Sequence, residues 1–298
     1  MEQKPTLEST LKSLDTEESI DIHFYRPIGY RWALLFNKMG VSPNAVTIAS
    51  IVIGVAAGIC YYPTDLAINI LGMLLLVWAN SYDSADGQLA RMTGKKTPLG
   101  RILDGAAGDI WFITIYAAIC LRLTPQWGIW IWVLAAITGF FHSKQAAMAD
   151  YYRNVHLLFL KGKSGSELSY SPHLKEHYRE MSWRREFIYK LFETFYINYT
   201  VGQEQLTPQF QRLMNKIRTQ YAGQAPESFR VAFREKSLPL MKYTNMLSFN
   251  TRVIALFISL LIDLPWVYFL FEMTVLNAML VYMIYTHEQF CKRFMDEL

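Results

Sequence analysis

The chain has 298 residues, of which 52% are hydrophobic and only 18% are charged, with a formal net charge of +4. In ordinary soluble domains about a quarter of the residues are charged, so this composition argues against a purely aqueous fold. The modest positive charge fits anionic lipid headgroups better than nucleic acid. We therefore expect membrane lipids as partners and no nucleic acid.

The N-terminal region precedes the first long apolar stretch. Residues 1–21 are polar and lack the apolar core of a cleavable signal peptide, so a mobile tail is expected there. Residues 22–40 mix aromatic and basic side chains, a pattern typical of an amphipathic helix in the membrane interface, with a soluble capping helix as the alternative. Ser42 and Pro43 suit the N-cap and first turn of the helix that follows.

Six apolar stretches are each close to the ~20 residues that a membrane-spanning helix needs. They cover residues 45–62, 66–82, 102–121, 127–149, 246–262 and 265–286. Lys and Arg concentrate in alternate connections, which predicts that both termini and the candidate active site are cytoplasmic. The sequence thus predicts an all-α integral membrane protein with six transmembrane helices, four within 41–154 and two within 243–298.

Residues 155–242 form an unusually long connection between the fourth and fifth predicted spans. The segment is too long for an ordinary bundle loop and too polar to enter lipid. The stretches 173–189 and 208–221 have a helical spacing of aromatic and aliphatic residues. A helical cytoplasmic insert is therefore expected.

Acidic residues occur near the cytoplasmic ends of the second and third spans, where ionisable side chains are costly and mark function. Asp83 and Asp86 are three residues apart on one helical face, and a short loop allows Asp104 to face them. Three carboxylates without His or Cys suit Mg²⁺, Mn²⁺ or Ca²⁺ rather than zinc, and Mg²⁺ or Mn²⁺ is the cofactor we expect. The alternatives are an inert bundle with salt-bridged acids and a transporter pathway.

The pattern Asp83-x2-Asp86-Gly87-x2-Ala90-Arg91-x8-Gly100-x3-Asp104 resembles the signature of the CDP-alcohol phosphotransferase (CDP-alcohol phosphatidyltransferase) family. The resemblance covers the number and order of the predicted spans but does not explain the insert. The resemblance implies that the signature aspartates hold two metal ions, which bind the diphosphate of a CDP-linked lipid donor. It also implies a homodimer. Donor-binding roles are implied for Gly87, Ala90, Arg91 and Gly100.

The chain departs from the family pattern at Gly108, where one more aspartate is expected as metal ligand and general base. The nearest acid is Asp109. In a regular helix Asp109 lies about 140° from Asp104, whereas position 108 lies only about 40° away. Three accounts stay open: a one-residue bulge brings Asp109 to the metals, His142 is the base instead, or the acid is lost and the chemistry is altered.

Basic residues at the cytoplasmic ends of the fourth and fifth spans hold the acceptor's phosphate in this family. Lys144, Arg153 and Arg252 take these places here, although the same positions suit snorkelling to the interface. The implied reaction moves a phosphatidyl or phospho-alcohol group from a CDP-activated donor to an alcohol, with release of CMP. Inositol, inositol phosphate or a related sphingolipid headgroup reaction is the first choice of acceptor. An inactive family member that binds lipid or a partner, and a metal-dependent lipid phosphodiesterase, are the alternatives.

Overall fold

The computed structural model describes residues 6–10, 13–95 and 97–297, without the side chains of residues 9, 98, 101, 164 and 297. Every regular element in this part of the chain is helical, as the sequence predicts. The α-helices are α1 (Arg26–Lys38), α2 (Pro43–Ile59), α3 (Leu66–Thr93), α4 (Pro98–Trp127), α5 (Trp130–Lys161), α6 (Ser171–Glu180), α7 (Phe187–Leu206), α8 (Pro208–Gln220), α9 (Glu227–Ser237), α10 (Met241–Met246), α11 (Phe249–Leu261), α12 (Trp266–Phe271) and α13 (Asn277–Glu297). A π-helical turn, Glu272–Leu276, connects α12 to α13.

Among the described residues, four helical stretches are long and apolar enough to cross a membrane. They are Leu66–Thr93, Ile102–Trp127, Glu227–Leu261 and Trp266–Asp296. The first predicted span corresponds to α2, which is apolar but has only 17 residues, and the fourth corresponds to the first part of α5, which begins three residues later than predicted. An integral membrane protein is therefore supported, whereas six spans and the interfacial and cytoplasmic positions of the other helices stay predictions.

The chain divides into two compact units. The first comprises Met1–Phe141 and Asn250–Met273, and the second comprises His142–Phe249 and Thr274–Leu298. In the first unit, α3 packs against both α1 and α2, and α2 also packs against α4. The approach of α1 is close, because a Cβ atom at Gly29 would lie 2.8 Å from Oγ of Ser84. The helix predicted to lie in the interface thus contacts α3 within the signature.

Side chains cap the helices that lead into the signature. Ser42 accepts a hydrogen bond from the backbone N–H of Ala45 and is the N-cap of α2, as predicted. Asp65 accepts from the N–H of Ile68 at the start of α3. At the start of α4, Oγ1 of Thr97 accepts from the N–H of Gly100 at 2.9 Å. These caps fix where each helix begins.

Part of the stretch predicted as a mobile tail makes defined contacts. Glu17 forms an ion pair with Arg26 at 3.0 Å. The amide of Asn250 donates to Glu18 at 2.8 Å and to Asp21 at 2.9 Å. These residues therefore differ from the free segment expected from the sequence, since their carboxylates find partners in the first unit. Residues 1–5 and 11–12 of the tail lie outside the described residues.

The second unit contains the helices of the predicted insert. In it α8 packs against α13, and α6 packs against α7. Glu288 of α13 accepts hydrogen bonds from the backbone N–H groups of Gln209 and Phe210, at 2.6 and 3.2 Å. A carboxylate there satisfies N–H groups that the first turn of α8 leaves without an intrahelical partner. The helical character expected for residues 155–242 is thus present.

Candidate metal centre on the signature helices

The local folding of α3 and α4 brings the signature acids together. Helix α3 ends at Gly94, whose φ of +66° is a left-handed conformation that favours glycine. The chain then turns and begins α4 after its N-cap, Thr97. The short connection brings the end of α3 and the start of α4 near enough for carboxylates of the two helices to meet. The signature residues occupy those turns.

The three predicted metal ligands converge. Carboxylate oxygens of Asp83, Asp86 and Asp104 all lie within 4.8 Å of one another. Asp86 is buried, Asp83 is half-buried and Asp104 is exposed, so the group opens toward one side. This arrangement offers three hard oxygen ligands on two helices, as the sequence predicts.

The state of Asp86 tests whether these residues fit a cation. Its Oδ2 atom is buried and has no hydrogen-bond partner among the described residues. A buried carboxylate oxygen without a partner is costly, and two neighbouring carboxylates add repulsion. A bound divalent cation removes both costs at once. The residues therefore fit a Mg²⁺- or Mn²⁺-type ion.

Arg91 lies beside the acids but does not neutralise them through a direct ion pair. No ion pair joins Arg91 to Asp83 or Asp86 within the described residues. Its guanidinium instead lies over Gly87, because a Cβ atom there would be 3.4 Å from Nη2. Arg91 therefore does not make the salt bridge to Asp83 or Asp86 that the inert bundle would assign to it. Ala90, another predicted donor contact, is half-buried on the same helix.

Gly100 has a packing role in addition to the donor contact predicted for it. A Cβ atom at this position would lie 2.7 Å from Oδ1 of Asn44, which is closer than such atoms approach. Asn44 and Thr97 are themselves within 3.4 Å of each other. The glycine therefore allows the start of α2 to lie against the start of α4.

Arg26 is a residue near the site that the sequence reasoning missed. It donates to Oγ of Ser84, between the two aspartates of α3, at 3.4 Å, and its backbone carbonyl accepts from Gln88 at 3.1 Å. The only available signal was the mixture of basic and aromatic residues in 22–40. That pattern indicates an interfacial helix but does not indicate which basic side chain of the helix lies near the signature residues of α3.

Asp109 does not join the carboxylate group. Helix α4 is α-helical throughout Pro98–Trp127, so the one-residue bulge considered from the sequence is not present in this helix. Asp109 is exposed, as expected for a residue rotated about 140° from Asp104. Its predicted roles as metal ligand and base therefore lack the geometry they need. At Gly108 a Cβ atom would meet nothing within 4 Å.

Arg252, predicted to bind the acceptor's phosphate, is buried in the first unit and already engaged. Its Nη1 atom lies 3.1 Å from Oε2 of Glu272, and both side chains are almost fully buried. The same oxygen of Glu272 accepts from the hydroxyl of Tyr116 at 2.7 Å, and Tyr268 donates to the other oxygen. Glu272 was missed from the sequence, although an acid inside an apolar stretch was the signal. This pairing argues against Arg252 as a phosphate ligand.

The remaining predicted residues belong to the second unit. His142 is buried on α5. Nζ of Lys144 lies 3.0 Å from where a Cβ atom of Gly202 would be, so the ammonium group rests against α7. Arg153 donates to Oδ1 of Asn245 at 2.8 and 3.1 Å. The roles of His142, Lys144 and Arg153 toward a substrate stay predictions.

Residues 40–154 match the sequence model of the CDP-alcohol phosphatidyltransferase family. This matched part is less than half of the chain. It contains α2, α3 and α4 and all three converging aspartates. The domain therefore coincides with the candidate metal centre.

The chain is also similar to a bifunctional IPC transferase and DIPP synthase from Aquifex aeolicus (strain VF5). The two are 28% identical over 98 residues, which is 33% of this chain. The similarity spans 22% of the length of that relative. Both comparisons are consistent with a transferase domain.

Proposed function

We propose that this protein is a metal-dependent transferase of phospholipid synthesis. It moves a phosphatidyl or phospho-alcohol group from a CDP-activated donor to an alcohol acceptor and releases CMP. The observation that carries the proposal is the convergence of Asp83, Asp86 and Asp104 within 4.8 Å, inside the matched domain. We further propose that the active site and both termini are cytoplasmic and that the protein forms a homodimer.

The three aspartates would hold Mg²⁺ or Mn²⁺. When bound, the metal supplies positive charge that neutralises the donor diphosphate and the charge developing on the departing CMP phosphate. Asp86 would hold the cation from the buried side of the site, and Asp104 would hold it from the exposed side. The guanidinium of Arg91, over Gly87, offers a further cation for a phosphate oxygen.

In the transfer, the acceptor's hydroxyl oxygen bonds to the phosphorus of the transferred group. The bond from that phosphorus to the oxygen bridging to CMP breaks, and CMP leaves with the electron pair. A base takes the hydroxyl proton, and because Asp109 lies outside the carboxylate group, His142 is the base we propose. The variant His142→Ala tests this assignment by its turnover at saturating acceptor.

The acceptor we propose is inositol, inositol phosphate or a related headgroup alcohol. Lys144 and Arg153 would bind its phosphate; Lys144 lies against α7 of the insert, and Arg153 donates to Asn245 of α10. Two other functions remain to be separated from transfer. Water in place of the alcohol would make a phosphodiesterase, and the loss of the acid at Gly108 would suit an inactive family member. The relative's name, a transferase and synthase, favours transfer.

The test uses purified protein in lipid nanodiscs with labelled CDP-diacylglycerol, Mg²⁺ or Mn²⁺ and a panel of alcohols that includes inositol and inositol phosphate. A new phosphodiester lipid with equimolar CMP is the expected result. Labelled phosphatidic acid would indicate hydrolysis, and the absence of CMP with every alcohol would indicate an inactive member. Either outcome overturns the proposal. Asp109→Asn is the matched acidic control, since this side chain lies outside the carboxylate group.

A further inference from the structure

Helix α7 in the second unit presents an apolar stripe to its surroundings. Four side chains form the stripe and are 58, 58, 38 and 63% exposed: Phe187, Ile188, Leu191 and Phe195. At about 100° per residue they fall within one face about 100° wide. Contiguous exposed apolar patches of this kind are uncommon on the surface of a soluble protein and mark an interaction site.

The opposite face of α7 is the one that packs within the second unit. Ile197, Thr200 and Gln203 are buried there. The side-chain amide of Gln203 donates to the backbone carbonyl of Ala147 on α5 at 2.7 Å. The helix is therefore anchored by its polar and mixed face, and its apolar stripe points away from that packing. Its exposure is not a consequence of a loosely attached helix.

The residues before α7 extend the stripe with an aromatic side chain and two cations. Trp183 is 46% exposed, and its ring lies 5.8 Å from that of Phe187. Lys190 holds this segment, since Nζ donates to the carbonyl of Met181 at 2.7 Å and lies 5.5 Å from the Trp183 ring. Exposed Arg184 and Arg185 follow directly. Tryptophan and arginine together are typical of the lipid headgroup region.

We propose that the docking face, defined as Trp183, Arg184, Arg185 and the α7 stripe, binds the anionic surface of the membrane. Helix α7 is 20 residues long but is not among the membrane-crossing stretches, and it contains Lys190 and Glu193. A helix that exposes an apolar face beside basic residues fits the plane of the interface. The chain has a membrane surface within reach if α3 and the Ile102–Trp127 part of α4, which are long and apolar enough, cross a bilayer.

The consequence is that the insert is a membrane-bound element and not a free cytoplasmic domain. Arginine attracts acidic headgroups, and the aromatic and aliphatic side chains enter the boundary between headgroups and acyl chains. The inference goes beyond the transferase proposal. It rests on the chain being an integral membrane protein and would survive a failure of the proposed chemistry.

The test places the photo-crosslinking residue benzoylphenylalanine at Phe187 or Phe195 of the full chain in vesicles of phosphatidylcholine and phosphatidylglycerol. Gln220, exposed at the end of α8, is the matched control position. After irradiation, mass spectrometry distinguishes lipid adducts from crosslinks to a second copy of the chain. The aromatic replacements are conservative, and an unchanged thermal unfolding midpoint confirms that each variant folds.

We expect a several-fold higher yield of lipid adducts at Phe187 and Phe195 than at Gln220. The paired variant Arg184→Glu, Arg185→Glu is expected to lower the adduct yield at Phe195 several-fold in these vesicles. Vesicles of pure phosphatidylcholine are expected to lower the yield at Phe195 in the protein that keeps both arginines. Equal lipid yields at Phe195 and Gln220 would overturn the proposal. Crosslinks that join two copies of the chain instead of lipid would also overturn it.

Discussion

Two buried acidic groups in the first unit differ in how they are satisfied. Glu272 is fully buried and has Arg252, Tyr116 and Tyr268 around its two oxygens. Asp86 is also buried, at 3% exposure, yet one of its oxygens has no hydrogen-bond partner among the described residues. Both oxygens of the Glu272 carboxylate thus have partners, whereas one oxygen of the Asp86 carboxylate has none among the described residues.

The difference separates a structural acid from a ligand-binding acid. When the fold itself supplies the counter-charge and the hydrogen-bond donors of a buried carboxylate, its burial requires no ligand. A buried carboxylate with one oxygen that lacks a donor, next to two like charges, destabilises the fold, and a fold retains such a group where a cation or substrate offsets the cost. This criterion supports the proposal that the carboxylate group of Asp83, Asp86 and Asp104 binds a ligand.

The largest effect is expected for Asp86→Asn. Turnover should fall by about a thousandfold or more, because metal-ion stabilisation of the transition state is worth several kcal/mol. The metal-free protein should unfold at the same temperature as the wild type or above it, since like-charge repulsion is relieved. CMP release and thermal unfolding with and without Mn²⁺ measure both effects. A clear loss of metal-free stability would show that Asp86 is structural, like Glu272.

The converse variant is Glu272→Gln. Removing this charge leaves the Arg252 guanidinium buried without its counter-ion, which should cost about 3–5 kcal/mol in the free energy of unfolding. Metal affinity should be nearly unchanged. Replacing both Glu272 and Arg252 by Met should recover most of the stability. The measurement is denaturant unfolding in detergent, with metal titration as the second readout.

A different outcome would sharpen the role of Arg252. If Glu272→Gln left stability intact and raised the KM for a phosphorylated acceptor, Arg252 would be a substrate ligand after all. The interpretation of Glu272 as a structural acid would then be wrong.

The converging aspartates were predictable because their geometry is local. Asp83 and Asp86 share a face through the helical repeat, and a short loop returns the chain to Asp104. Only the first turns of α4 had to be placed, and the Thr97 cap fixes where they begin. The family signature rests on the same local spacing. The membrane character was predictable for a similar reason, since apolar length follows directly from sequence.

The pairing of Arg252 with Glu272 was not predictable in this way. The two residues lie on different helices, and which of their faces meet depends on helix rotation and on the π-helical turn that begins at Glu272. The spacing of apolar residues predicts the length of a helix, but it does not directly predict which partner each polar side chain finds. The contacts of Glu17 and Glu18 in the predicted tail depend on the same kind of long-range packing.

A smaller effect is expected for Gly100→Ala, which disturbs the support of the carboxylate group without removing a ligand. The new methyl group would lie 2.7 Å from Oδ1 of Asn44, and overpacking of this kind costs about 1–3 kcal/mol. Denaturant unfolding should show a lower free energy of unfolding, and Mn²⁺ titration should show a lower affinity. Adding Asn44→Ala should relieve most of it, and a pair of variants whose effects simply add would contradict the contact.

The smallest change is expected for Gly108→Asp, which returns an acid to the position where the family pattern has one. The position has room, because a Cβ atom meets nothing within 4 Å, and it lies only about 40° from Asp104 around α4. An added oxygen ligand should tighten Mn²⁺ binding about tenfold, since affinity for hard cations rises with ligand charge. Calorimetric titration measures this, with Asp109→Asn as the control that should leave affinity unchanged. Loss of affinity in Asp109→Asn would instead mean that α4 rearranges when metal binds, and that the fourth acid of this protein is Asp109.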